Sequence, residues 1–216
     1  MTPAPEKTAS ESPRSRPRVR ENGRSRFLFE SILIVLSVLL GFALTAWGER
    51  RTEKRVAETA LENFRAEIES NLEQLERVQP KHAQFAQRLV QAADEVALDP
   101  AETAFQVFVR LMPEGGIDTP PLREAAWETA MSTGALRLLD YEIAASLSET
   151  YFIQRSTLLP TIRLLSDRFL ATENFDPAAR DQMIIVHQMM LTELAGQESY
   201  LIDVFRNSLE RLGAGN

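Results

Sequence analysis

The stretch FLFESILIVLSVLLGFALTAW, Phe27 to Trp47, decides how the rest of this chain is read. Seventeen residues from Ser31 to Trp47 carry no charge, and Phe27 to Phe29 extend the apolar character past Glu30. At a rise of ~1.5 Å per residue, a helix over this stretch crosses a hydrocarbon core of ~30 Å. The expectation is a transmembrane helix over 27–47, preceded by a tail (1–26) and followed by one helical soluble domain (48–216).

The two flanks differ in charge and in order. Residues 1–26 contain four prolines, several serines and seven basic residues against Glu6, Glu11 and Glu21. Such a segment buries too little apolar surface to offset the entropy of ordering, so it reads as a disordered basic tail. The tail carries +4 of a net charge of −7, which leaves −11 on the remainder. An acidic body lacks the basic face that neutralises phosphates, which argues against nucleic acid as a partner. The tail itself suits anionic lipid headgroups, and the bilayer is the partner the sequence names most directly. There are no cysteines, so disulfides, thiolate metal sites and cysteine nucleophiles are excluded.

Within about fifteen residues of the apolar segment, six arginines lie on the N-terminal side and four basic residues on the other. That bias places the N-terminus in the cytoplasm of an inner-membrane protein, with the C-terminal domain outside it. A cleaved signal peptide is the rival, since Gly41 and Ala43 are small, but the basic region is long and the apolar region exceeds an ordinary signal core. Glu30 reads as an interfacial residue at a helix N-terminus, with an intramembrane carboxylate as the alternative. Ser37, Gly41 and Thr45 recur every four residues and form a candidate surface for close helix–helix contact, in a homodimer or with a membrane-protein partner. Trp47 sits where an interfacial aromatic anchor is expected.

No proline or glycine separates Glu49 from Val78, so the helix is expected to continue to Val78 and to stop at Pro80. Ala57, Ala60, Leu61, Phe64, Ile68, Leu72, Leu75 and Val78 share one face. Asn71 lies inside that stripe and Glu67 at its edge. A second helix is expected over His82–Val96, with Phe85, Leu89, Ala92, Ala93 and Val96 on its apolar face. A third follows the Asp99-Pro100 cap and runs to about Met112. Pro113 to Pro121 is the strongest loop signal. A fourth helix over Leu122–Thr133 closes on Gly134. Asp140 caps a fifth, which Pro160 should kink or break before Ile162–Leu170, and Asp176-Pro177 opens the last, to about Leu212. The chain reads as all-α: an N-terminal transmembrane helix running into a long helix, followed by a bundle of about five more.

Two blocks, RFLFESILIVLSVLLGFALTAWGERR with FRAEIESNLEQL and AAWETAMSTGALRLLDYEIAASLSETY, resemble an uncharacterised family of bacterial single-pass membrane proteins. Trp47, Glu67, Asn71, Trp127, Glu128, Gly134 and Tyr151 carry the resemblance. It implies one membrane helix continuing into a long helix with a mostly helical domain after it, and implies no activity, cofactor or partner. The long basic tail departs from the family pattern.

No motif with defined catalytic mechanics occurs, and neither an enzyme nor a cofactor is expected. Met183, His187 and Met190 share one helix face and are soft enough for Cu(I), yet their stripe continues through Leu194 and Leu201 as a core face does, so no metal site is assigned. Glu67, Asn71, His82, Trp127 and Glu128 form a second constellation, either buried polar packing or the lining of a small-molecule pocket. The function expected is a non-enzymatic interaction or accessory role at the membrane. A ligand-sensing bundle lacking its own output module is the alternative.

Overall fold

The computed structural model describes residues 23–94, 99, 101–114 and 116–214, and among these every regular element is helical. Helix α1 spans Gly23–Asp94, so it begins four residues before Phe27; the remainder of the expected tail, residues 1–22, lies outside the described residues. The chain divides into two compact units at Arg50/Arg51.

In the first unit, α1 is long and apolar enough to cross a membrane. Every side chain from Phe29 to Thr45 is exposed, Glu30 among them. The Ser37 hydroxyl donates to the Leu33 carbonyl at 2.7 Å and Thr45 to the Gly41 carbonyl at 3.0 Å, so both polar groups of the small-residue stripe are satisfied within their own helix.

The second unit is built on three long helical segments. The expected stop at Pro80 is corrected: α1 continues through it to Asp94 and absorbs what read as a second helix. A proline inside a helix costs ~3 kcal/mol through its missing N–H and its ring. Here Pro80 lies on the exposed face, while Leu75, Val78, Phe85 and Leu89 keep the buried stripe unbroken on either side. Each of those side chains contributes ~1.5–3 kcal/mol by burial, which outweighs the proline.

Helix α2 (Ala104–Leu111) starts later than the Asp99-Pro100 pair suggested, and its cap is Thr103. The Thr103 hydroxyl accepts from the Gln106 amide while the Gln106 side chain accepts from the Thr103 amide, a reciprocal capping box. Asp99 instead closes a turn, accepting from the Ala101 amide. Helix α3 (Ala125–Thr133) ends as expected on Gly134, whose φ of +75° suits a residue without a Cβ.

Asp140 caps helix α4 (Tyr141–Ile153) through the Glu142 amide. The chain then makes one π turn, Gln154–Leu158, and continues as helix α5 (Leu159–Phe169). Pro160 explains the wider turn: it cannot donate to the carbonyl four residues back, and the Leu159 amide reaches back five residues to Gln154 instead. Asp176 caps a 3₁₀ turn at Pro177–Ala179, and helix α6 (Arg180–Ala214) follows directly.

Side-chain pairings fix the topology of this unit. Arg65 bonds the Leu212 carbonyl, Arg206 bonds Glu76 and His82 meets Glu198, so α1 and α6 run antiparallel. Tyr151 bonds Glu67 and Gln154 bonds Asn71, so α4 runs in the direction of α1. The connection between them returns along α1 in steps: Leu111 opposite Arg88, Asp118 opposite Arg77 and Lys81, Arg123 opposite Asn71, and Ala126 opposite Glu67. An irregular segment with two short helices therefore takes the place of a fourth bundle helix. One continuous core, from Phe64 through Phe108 and Leu147 to Leu191 and Phe205, lies inside it.

Candidate functional site

The start of α3 is held to α1 by Glu67 and Asn71, two of the polar residues that interrupt the apolar face of α1. Asn71 is fully buried. Its Nδ2 donates to the Arg123 carbonyl at 2.8 Å, and its Oδ1 accepts from the Arg123 amide at 2.8 Å. One side-chain amide thus pairs with a backbone amide as a neighbouring strand would. Gln154, from the π turn, donates to the same Arg123 carbonyl at 3.1 Å and accepts from Asn71 at 3.3 Å. The clamp explains why α3 starts at Ala125, three residues later than the sequence suggests: the backbone at Arg123 is paired outside a helix.

One turn earlier, Glu67 caps α3 from outside. Glu124 occupies the N-cap of α3 and makes no capping bond. The Glu67 carboxylate accepts from the Ala126 amide at 3.0 and 3.2 Å instead, a negative charge at the positive end of a helix. Its Oε1 also accepts from the Tyr151 hydroxyl at 2.7 Å. Burial, with the adjacent Glu67 carboxylate adding to it, pushes the Tyr151 phenol well above its ordinary range. Around this bond Trp127 stacks on Tyr151 at 5.4 Å between ring centroids, and Phe64 meets both rings. Arg155 lies 6.0 Å over Trp127 and 3.5 Å from Glu124, closing the cluster from its exposed side.

The five-residue constellation is therefore divided. Glu67, Asn71 and Trp127 come together with Tyr151 and Gln154. His82 does not join them; it lies three turns further along α1, buried, with Nδ1 2.9 and 3.0 Å from the two carboxylate oxygens of the fully buried Glu198, while its Nε2 has no partner. The expectation that Glu128 is a buried or pocket residue is corrected: it is exposed, because it follows Trp127 on a helix whose buried face carries Trp127 and Ala130. His187 is enclosed by Phe108 and Phe169, with its Nδ1 2.9 Å from the Met183 carbonyl. Among the described residues no three His, Asp or Glu side chains are arranged to hold a metal ion.

Sequence reasoning missed Gln154 and Glu198. Both carry a readable signal: each is a polar residue at a stripe position, Gln154 between Tyr151 and Leu158, and Glu198 between Leu194 and Leu201. It also missed an open groove of ≈ 550 Å³ between α1 and α3. Ala60, Ala130 and Ala135 are its buried residues, Val56 and four threonines line it further, Arg55 is its one cation, and no carboxylate lines it. A second hollow of ≈ 330 Å³ shares Asn63, Ala126 and Thr129 with it and reaches Glu67.

Comparison with protein-family models, with characterised proteins and with solved structures returns no match.

Proposed function

We propose that this chain is a single-pass inner-membrane protein whose helical unit, outside the cytoplasm, acts by interaction and carries no catalytic centre. The observation behind this reading is the use to which the buried polar residues are put. Glu67, Asn71, Tyr151 and Gln154 form the largest connected group of buried polar side chains described above, and each is committed to fastening the returning segment onto α1. A carboxylate that already accepts from a phenol and a backbone amide is poorly placed to move a substrate proton. The wholly exposed apolar face from Phe29 to Leu44 supports anchoring, because lipid is the environment that removes such a surface from water. The exposed Ser37, Gly41 and Thr45 stripe offers a close-contact surface to a second copy or to another membrane helix.

The test combines fractionation and topology. The chain should stay with membranes through an alkaline carbonate wash, and a reporter fused after Asn216 should be active only outside the cytoplasm. A chain released by carbonate would refute the anchor, and a cytoplasmically active reporter would reverse the orientation. Native mass spectrometry of the detergent-purified protein should then show a dimer or a co-purifying protein; a bare monomer in every detergent tried would count against an interaction role.

A further inference from the structure

We propose that the groove between α1 and α3 holds one acyl chain of an anionic membrane lipid, with the lipid headgroup on Arg55. The inference deepens the membrane reading above and rests on it. The lining sets the chemistry: Ala60, Ala130 and Ala135 with Val56 and the threonine methyls present an apolar trough, and its volume of ≈ 550 Å³ falls within the ~300–1,000 Å³ range of small-ligand sites.

Charge specifies the head. In a body carrying −11, the residues lining this groove include no acid and one arginine. Arg55 is exposed and has no hydrogen-bond or ion-pair partner among the described residues, whereas the neighbouring Lys54 pairs with Glu58. An unpaired guanidinium at one end of an apolar trough complements a ligand with one tail and one anionic head. The source follows from the chain: Thr52 stands five residues after Trp47, the end of the apolar segment, so the nearest reservoir of hydrocarbon chains is the bilayer that segment enters.

The experiment uses the full chain purified from washed membranes in mild detergent, with bound lipid measured by native mass spectrometry and by extraction. The wild type should retain about one anionic phospholipid per chain through detergent exchange. Thr129→Trp, which fills the trough from an exposed position, and Val56→Glu, which adds an acid to its wall, should each lower retention at least tenfold. Arg55→Gln should lower it about five-fold and remove the preference for anionic over zwitterionic lipid. Thr192→Trp, an exposed position on α6, should leave retention unchanged, and helical content by circular dichroism checks that each variant folds. Equal lipid on all five proteins, or none on the wild type, would overturn the assignment. A co-purifying protein lost with Thr129→Trp in the absence of lipid would overturn it in favour of protein docking. Release of the chain by carbonate would refute the membrane reading alone, since retention on the purified chain is read separately.

Discussion

Replacing Asn71 with alanine should loosen the returning segment more than any surface change can. The substitution deletes three hydrogen bonds, two to the Arg123 backbone and one to Gln154. At about 1 kcal/mol net for each, the direct loss is ~3 kcal/mol. Part of the damage is limited, because the Gln154 amide still covers the Arg123 carbonyl. The Arg123 amide and the Gln154 oxygen are left without the Asn71 amide, and a stranded buried polar group costs ~1–3 kcal/mol. The expected destabilisation is therefore about 3–4 kcal/mol. For a unit of this size 1 kcal/mol moves Tm by ~2–4 °C, so the variant should melt roughly 6–16 °C below the wild type. Thermal unfolding of the detergent-purified chain measures this, and amide hydrogen exchange locates it: the Arg123 amide should lose protection while amides in the middle of α6 keep theirs. A Tm within about 2 °C of wild type together with an unchanged Arg123 amide would refute the clamp. A double-mutant cycle with Gln154→Ala should show coupling of ~0.5–3 kcal/mol, since the two side chains share one carbonyl.

Three further outcomes follow from other contacts. Tyr151→Phe removes a hydrogen bond to a carboxylate and should cost ~1.5–3 kcal/mol in urea unfolding. In the wild type the phenol's raised pKa has a definite sign: the unfolded chain releases that proton near pH 10 and the folded chain does not, so stability should fall above about pH 10, and less so in the variant. Pro80→Ala restores an amide to the exposed face of a helix that already continues through this position, so it should stabilise by up to ~3 kcal/mol; a loss of stability on thermal unfolding would contradict the unbroken α1. Burial lowers the His187 pKa, with the Met183 and Arg168 carbonyls acting the other way. Its contribution is intact above the unfolded value of ~6.5 and is lost as pH falls below that, with a slope no steeper than ~1.4 kcal/mol per pH unit. His187→Leu should flatten the stability profile in that window; an unchanged slope would assign the acid sensitivity elsewhere.

Much of this architecture is legible residue by residue. The stripe from Ala60 to Val78, the Gly134 cap, the Asp140 cap and the long last helix all rest on local periodicity and side chains that bond their own backbone, and these survive in the fold. The misread boundaries share a different cause. At Pro80 a local breaker is outweighed by a stripe that stays buried on both sides, which depends on what packs there. The helix start at Ala125 is set by Asn71 holding the backbone of Arg123, fifty-two residues from it in sequence, and no local signal records that. At Pro160 the sequence announces a disruption but leaves open whether it is a break or a change of winding. Glu67 and Asn71 stand out because polar residues interrupt an apolar face; the same test applied to the later helices picks out Gln154, the partner of Asn71, and Glu198, the partner of His82. Which acid meets which histidine is decided by the antiparallel pairing of α1 with α6, and that is not written in either helix alone.

That antiparallel pairing also imposes a timetable on synthesis. His82 and its carboxylate partner Glu198 are 116 positions apart, so at about 5–20 residues per second the ribosome delivers the second some 6–23 s after the first. Through that interval the apolar stripe of α1 up to His82 has been made and has no α6 to cover it. The chain thus spends its most exposed moments directly after its apolar segment has emerged, when early insertion of that segment would set the waiting helix apart from other nascent chains.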